Sequence, residues 1–289
     1  MTSFLYLFVV AILVTGALGS SISPGPLWVD TSGNPIQAHG AGFIRHNGYW
    51  YWFGEDKTSN SHLFRNVKAY RSTDLVSWEF VANVLSPDPT NSTEITTQSV
   101  VERPKVIYNA KTNKFVLWFH LDSSNYGLAK LGVAYSDKIE GPYTFHKGIS
   151  PFGEDSRDMT VWVDDDGTGY VIYATRVNLD TVIARLTPDY LDVDVKVHMF
   201  LDVRWEAYAM FKTNGLYYLV TSGTSGWDAN RNHYTFSRYL NQSWSPAAEI
   251  APDSSNTYNS QSNNVIPVGG NSFIFTADRW FSSSLGDSR

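Results

Sequence analysis

Two groups flanking a C–O bond are enough to hydrolyse it. One acid protonates the departing oxygen, and a second group activates the attacking water. This chain offers candidates for both at a regular interval. Short apolar and aromatic runs follow turn residues at Gly48–Phe53, Lys114–Phe119, Gly169–Tyr173, Gly215–Val220 and Ser272–Phe275. Nine positions before the hairpin glycines Gly48, Gly167, Gly215 and Gly270 stand His39, Asp158, Glu206 and Gln261. Where the hairpin is longer by about two residues, the equivalent residue is Glu102. Five polar or ionisable residues at one structural phase form a candidate catalytic ring.

The elements that would position such a ring are strands. Each run reads as the second strand of a hairpin, and third strands recur at Val67–Tyr70, Gly132–Tyr135 and His233–Phe236. A period of roughly 50 to 65 residues with about four strands per unit signals propeller blades. The expected fold is therefore an all-β, five-bladed β-propeller over residues 20–289. First strands would line a central channel, and the loops after the second strands would surround its mouth. Those loops bring Glu55, Tyr126, Asn178, Asp180, Thr224 and Trp227 as expected sugar contacts, beside His39 and Arg103 from the first strands. Aromatic rings stack on sugar faces while amides, acids and Arg read hydroxyls. Blade five shows only two strands before Arg289, so the last blade is expected to be incomplete and the chain truncated at its C-terminus. Leu27–Val29 could supply one further strand. Asp164–Gly169 is expected to be a plain Asp-Gly turn rather than a calcium loop, because the ligands further along are missing.

Composition narrows the function classes. The 289 residues hold 10 Trp and 17 Tyr, only 17% are charged, and the formal net charge is −6. That balance excludes a disordered chain and argues against nucleic-acid binding, which needs a basic surface. With no Cys, neither a disulfide scaffold nor a thiolate metal site nor a Cys nucleophile is available. No metal site or other cofactor is expected.

Residues 1–19 read as a signal peptide: an apolar stretch from Phe4 to Val14, too short to span a membrane, is followed by a small-residue cleavage pattern. Secretion, no membrane association after its removal, and a monomer are the expectations. Sequons at Asn91 and Asn241 suit a glycoprotein.

The first strands resemble those of glycoside hydrolase family 43, and more narrowly its exo-β-1,3-galactanases. The carrying segments are Val100–Lys105, Ser156–Trp162, Trp205–Phe211 and Tyr258–Asn264, and the resemblance covers nearly the whole mature chain. It implies an exo-acting, inverting hydrolase of the galactan main chain of arabinogalactan. It places the general acid on Glu206 and an acid-tuning Asp on Asp158. The usual base, an Asp in blade one, is absent, since His39 stands there and Gly40 follows. The galactanase branch shares that departure, and the base role falls on Gln261 or Glu102. Resemblance ranks Gln261 first, through an imidic-acid relay. Chemistry favours Glu102, unless Arg103 holds it ionised and committed to a sugar hydroxyl. His39 could also serve, although a contact to a sugar hydroxyl is the expectation for it. The alternatives are another glycosidase of the same family, such as an arabinofuranosidase or xylosidase, and a non-catalytic sugar-binding propeller.

Overall fold

A strand whose successive side chains are all apolar must be covered on both faces. The computed structural model, which describes residues 21–88, 90 and 92–289, meets that demand with sheets stacked face to face around an axis. Sheet one contains β1 (His39–His46), β2 (Tyr49–Glu55), β3 (Val67–Ser72) and β4 (Glu79–Leu85). Sheet two contains β5 (Ser99–Asn109), β6 (Lys114–Ser123), β7 (Lys130–Ser136) and β8 (Thr144–Ile149). Sheet three contains β9 (Met159–Val163), β10 (Gly169–Thr175), β11 (Asp180–Leu186) and β12 (Val193–Phe200). Sheet four contains β13 (Trp205–Thr213), β14 (Leu216–Gly223), β15 (Asn232–Ser237) and β16 (Ala248–Glu249). A two-stranded sheet, β17 (Gln261–Gly269) and β18 (Ser272–Asp278), follows. All pairings are antiparallel between chain neighbours, as in a β-propeller. The expected signal peptide and Asn91 lie outside the described residues.

β6 shows why the runs are continuous. Phe115, Leu117, Phe119 and Leu121 enter the core shared with sheet one, while Val116 and Trp118 enter the core shared with sheet three. β10 divides in the same way, Val171 and Tyr173 to one side and Ile172 and Ala174 to the other. The period is still two, but both faces are interior. The circuit closes where Ile266 and Ile274 of the two-stranded sheet pack with Ile36, Tyr70 and Trp78 beside sheet one. The innermost strands β1, β5, β9, β13 and β17 touch one another in that order, and β17 returns to β1. The Leu27–Val29 segment makes an isolated bridge, Val29 to Pro35, rather than a strand of the fifth sheet. Asp164–Gly169 is a turn, with Gly167 N–H donating to Asp164 O at 2.9 Å.

Bulges interrupt the inner strands at matching places, between His39 and Gly42, Glu102 and Lys105, Glu206 and Ala209, and Ser262 and Asn264. A bulge re-aims side chains and frees a backbone N–H from the ladder. Here Gly40, Arg103 and Ala207 adopt left-handed φ of 58°, 54° and 58°. Each freed N–H is taken by a carboxylate of the preceding sheet. Gly40 donates to Asp278 Oδ2 (3.0 Å), Arg103 to Glu55 Oε1 (2.9 Å) and Ala207 to Asp158 Oδ2 (2.9 Å). Arg103 and Ala207 adopt this φ with side chains, but at Gly40 a Cβ would lie 2.2 Å from Glu55 Oε1. The sheets are thus latched to one another at the level of the candidate ring.

Packing at this level tolerates no added atom. A Cβ on Gly54 of β2 would stand 2.0 Å from the carbonyl carbon of Ala38. Gly54→Ala should cost about 3 kcal/mol, read calorimetrically as a fall in Tm of roughly 6–12 °C for a domain of this size. An unchanged Tm would contradict the close backbone approach.

Candidate active site

β13 delivers Glu206 to the mouth of the ring, where only 7% of the residue meets solvent. Its Oε1 accepts hydrogen bonds from Gln261 Nε2 (2.9 Å) and from the Ser225 backbone N–H (3.3 Å). Its Oε2 has the Asn178 amide nitrogen at 3.4 Å. Burial pushes the carboxyl pKa up, the negative charge of Asp158 adds to the rise, and the Arg103 cation opposes it only in part. The result is about 8, so Glu206 carries its proton at neutral pH. A buried carboxylic acid kept protonated among other carboxylates has the character of a general acid.

Arg103 crosses the channel. Its Nε lies 3.1 Å from Asp158 Oδ2, Nη1 donates to the Ser262 carbonyl (3.0 Å) and Nη2 to Gln261 Oε1 (2.6 Å). The expectation that Arg103 might hold Glu102 ionised is therefore not met, because its fork is committed to sheets three and five. Glu102 is held by other groups. Tyr126 OH donates to its Oε1 (2.8 Å), and His120 Nδ1 lies 3.2 Å from its Oε2. Burial works against ionisation of Glu102, but the His120 hydrogen bond, the Lys57 charge and Tyr126 outweigh it and bring the pKa to about 2. His120 is itself pushed up to about 9: burial opposes its charge, and the bonds to Asp122 (2.9 Å) and Glu102 prevail. An imidazolium between two carboxylates is the net state.

One pocket unites Glu102, Asp158, Glu206 and Gln261 with Glu55, Arg103, Tyr126, Asn178 and Trp227. Three expected contacts stand outside it. His39 is turned away, its Nδ1 3.2 Å from Asp278 Oδ1 and its ring 5.4 Å from that of Trp280, and it lines the neighbouring apolar cavity between sheet one and the two-stranded sheet. Asp180 is fully buried, where it accepts Arg176 Nη1 and the Asp202 N–H, both at 2.8 Å, and so ties two loops together. Thr224 is exposed on its loop, clear of the pocket.

The sequence reading passed over His120 and Lys57. His120 and Asp122 continue the alternation of Trp118 along β6, so period-two counting past the apolar run would have placed them on one side. Lys57 is 2% exposed, pairs with Glu55 Oε2 at 2.7 Å and lies 5.1 Å from the Trp227 ring centroid. Trp227 and Trp280 meet edge to face at 4.7 Å. Nothing local in the sequence marks a buried Lys under a Trp. As to metal, Glu102, His120 and Asp158 bring ligand atoms within 4.8 Å of one another. Both nitrogens of His120 are engaged by carboxylates and its ring is protonated, so it has no lone pair to offer an ion.

A β-propeller with a protonated acid at the mouth of its channel, beside Arg103, further acidic residues and two Trp rings, defines the class: a propeller with an acid–base site. The sequence profile of the glycosyl hydrolases family 43 matches residues 32–288, and the chain belongs to that family. Among solved structures it is similar to an exo-β-1,3-galactanase from Phanerochaete chrysosporium in complex with β-1,3-galactotriose. The identity is 44% and the TM-score 0.89, over 91% of this chain and 61% of that one. An exo-β-1,3-galactanase from Clostridium thermocellum gives 39% identity and a TM-score of 0.85, over 92% and 61% of the two chains. A β-1,3-galactosidase solved with galactodeoxynojirimycin gives 33% and 0.85, over 92% and 93%. The chain spans about three fifths of the length of the first two proteins. No curated protein sequence matches it significantly.

The raised pKa of Glu206 also acts on stability. Between the ordinary value of 4.5 and about 8 the folded protein keeps a proton that the unfolded chain releases. The contribution of this group is therefore full below pH 4.5 and is lost as pH rises through about 8. Glu206→Gln should remove that decline, so denaturant midpoints of the variant should exceed wild type by more at pH 8 than at pH 5. Equal differences at both pH values would contradict the assigned pKa.

Proposed function

We propose that this chain is a secreted, exo-acting hydrolase that releases galactose from the β-1,3-galactan main chain of arabinogalactan, with inversion at the anomeric carbon. The observation that carries the reading is the protonated Glu206 in a pocket that also holds Glu55, Asp158 and the ionised Glu102. Two carboxyl groups with pKa values driven apart are the division of labour that glycoside hydrolysis requires. The substrate class comes from the relatives named above, which are exo-β-1,3-galactanases at 44% and 39% identity.

In this reading Glu206 gives its proton to the glycosidic oxygen as the C1–O bond breaks. Water attacks C1 from the opposite face and passes its proton to the water-activating group, for which Gln261 stands first and Glu102 second. Asp158 supports the acid electrostatically, because its charge, beside burial, keeps Glu206 from ionising early. Trp227 and Trp280 offer ring faces and edges at the rim, and Tyr126 and Asn178 polar contacts to sugar hydroxyls. We read the two-stranded sheet as the inner half of a fifth blade, which makes the fold a five-bladed propeller with an incomplete last blade. The apolar N-terminal stretch supports secretion. A monomer and glycosylation at Asn91 and Asn241 complete the reading.

Release of galactose from β-1,3-galactan, followed by chromatography, is the primary test, and no release from folded protein would reject the activity. Glu206→Gln should lower kcat on galactan by about 10³–10⁴-fold, and a variant within about threefold of wild type would remove Glu206 from the role. The first product anomer seen by proton NMR should be α-galactose, and initial β-galactose would demand a retaining mechanism. Activity should decline as pH rises through about 8, where the acid loses its proton.

A further inference from the structure

Three successive residues, none of them glycine, stand in the left-handed region beside the pocket. Arg176, Val177 and Asn178 have φ of 52°, 56° and 63°. They form one left-handed turn after β10, closed by the Leu179 N–H donating to the Thr175 carbonyl at 3.0 Å. L-residues avoid successive left-handed positions because Cβ crowds the following carbonyl oxygen, and a β-branched residue such as Val avoids them most strongly. Val177 is 72% exposed, so its packing does not compensate. Such a conformation persists only where its surroundings over-determine it.

Two carboxylates hold the turn. Asp180 takes the Arg176 side chain at 2.8 Å, and Asp155 takes the backbone itself. Asp155 lies in the segment that leads from sheet two into β9. Its Oδ1 accepts the Arg176 N–H (2.8 Å) and the Thr175 hydroxyl (3.0 Å), and its Oδ2 accepts the Val177 N–H (2.9 Å). Burial works against the charge of Asp155, yet the two N–H donors outweigh it and hold the carboxyl below its ordinary range. The turn ends on Asn178, which lines the pocket, whereas Asp155 does not. The Asn178 amide nitrogen lies 3.4 Å from Glu206 Oε2, and its Oδ1 is buried with no hydrogen-bond partner among the described residues. A buried acceptor of that kind is costly until a donor reaches it, and a sugar hydroxyl is such a donor. Ordinary negative φ at these three positions would aim the amide elsewhere.

We propose that Asp155 is a positioning residue for the substrate: by capping the left-handed turn 176–178 it holds the Asn178 amide in the pocket. The inference rests on the hydrolase reading above, in which Asn178 contacts a sugar hydroxyl. Backbone strain centred on Val177 accompanies that placement, and the Asp155 carboxylate offsets it.

Asp155→Ala should raise KM on β-1,3-galactan by about 3–10-fold, the worth of one hydrogen bond, with kcat changed less and the alkaline limb of the pH profile unmoved. A limb that shifts while KM stays constant would mean that Asp155 acts by its charge on Glu206, and would overturn the proposal. Two further substitutions test the route. In an Asn178→Ala background, Asp155→Ala should have no additional effect on KM, because the group it positions is gone. Val177→Gly should restore most of what Asp155→Ala loses, since glycine takes positive φ without strain; a merely structural defect would not respond to that change. Additive effects in the first pair, or no recovery in the second, overturn the proposal. Asp155→Asn keeps one acceptor oxygen and serves the same comparisons if Asp155→Ala does not fold. Amide hydrogen exchange reads the turn independently of any activity. The Arg176 and Val177 amides should be protected in wild type and exchange faster in Asp155→Ala or Asp155→Asn. Fast exchange of both in wild type would show that the carboxylate does not hold the turn, and would overturn the proposal. If wild type releases no galactose from galactan, the hydrolase reading fails and this inference falls with it; wild-type turnover with an unchanged KM in the Asp155 variants removes the inference alone.

Discussion

The centre of the molecule is organised around one buried cation. Arg103 is 5% exposed, and a guanidinium at that depth costs several kcal/mol unless it is paired and hydrogen-bonded. Its partners are Asp158 of the third sheet and the Ser262 carbonyl and Gln261 of the fifth. Among the described residues, no hydrogen-bond or ion-pair partner of the guanidinium lies within its own sheet. The cation is therefore satisfied only when the ring is closed, and closure at the same stroke sets the neighbours of the acid. The left-handed bulge that turns Arg103 inward also frees its N–H for Glu55, so one backbone distortion serves both the seam between sheets and the site.

Charge around that cation divides unevenly, and the division is what gives the pocket chemistry. Glu102 lies within reach of His120 and Lys57, and two positive groups outweigh the penalty of burial. Glu206 lies beside Asp158, and the shared Arg103 with the hydrogen bonds from Ser225 and Gln261 cannot offset that charge and burial. Two glutamates at the same phase of the second and fourth repeats thus end on opposite sides of neutrality. Gln261 sits between the cation and the protonated acid, accepting from Arg103 and donating to Glu206.

His39 illustrates the limit of a phase argument. It occupies the ring position of the first sheet, yet Asp278 and Trp280 hold it away from the pocket. Those partners lie some 240 residues further along the chain, and no spacing rule relates them. Asp180 is a second case. It follows the second strand of its sheet as an acid in a loop should, but Arg176 and the Asp202 backbone bury it completely. In both cases a polar group took the nearest strong partner rather than solvent or a ligand.

What the sequence determined by itself is whatever depends on near neighbours in the chain. Turn residues followed by apolar runs place the second strands, as at Lys114–Ser123 and Gly169–Thr175, because strand propensity and hairpin chemistry are local. The fixed distance from strand start to hairpin places Glu102, Asp158, Glu206 and Gln261 at one level, because a strand advances by a constant rise per residue. Only the tertiary structure decided which of those residues is protonated, which is paired and which faces the pocket. These properties arise from burial and from contacts between sheets, such as Arg103 with Gln261 and Asp158 with the Ala207 N–H. Desolvation and Coulomb energy depend on distance in space, and the residues that set them here lie from 18 positions apart, as His120 and Glu102, to 158, as Arg103 and Gln261.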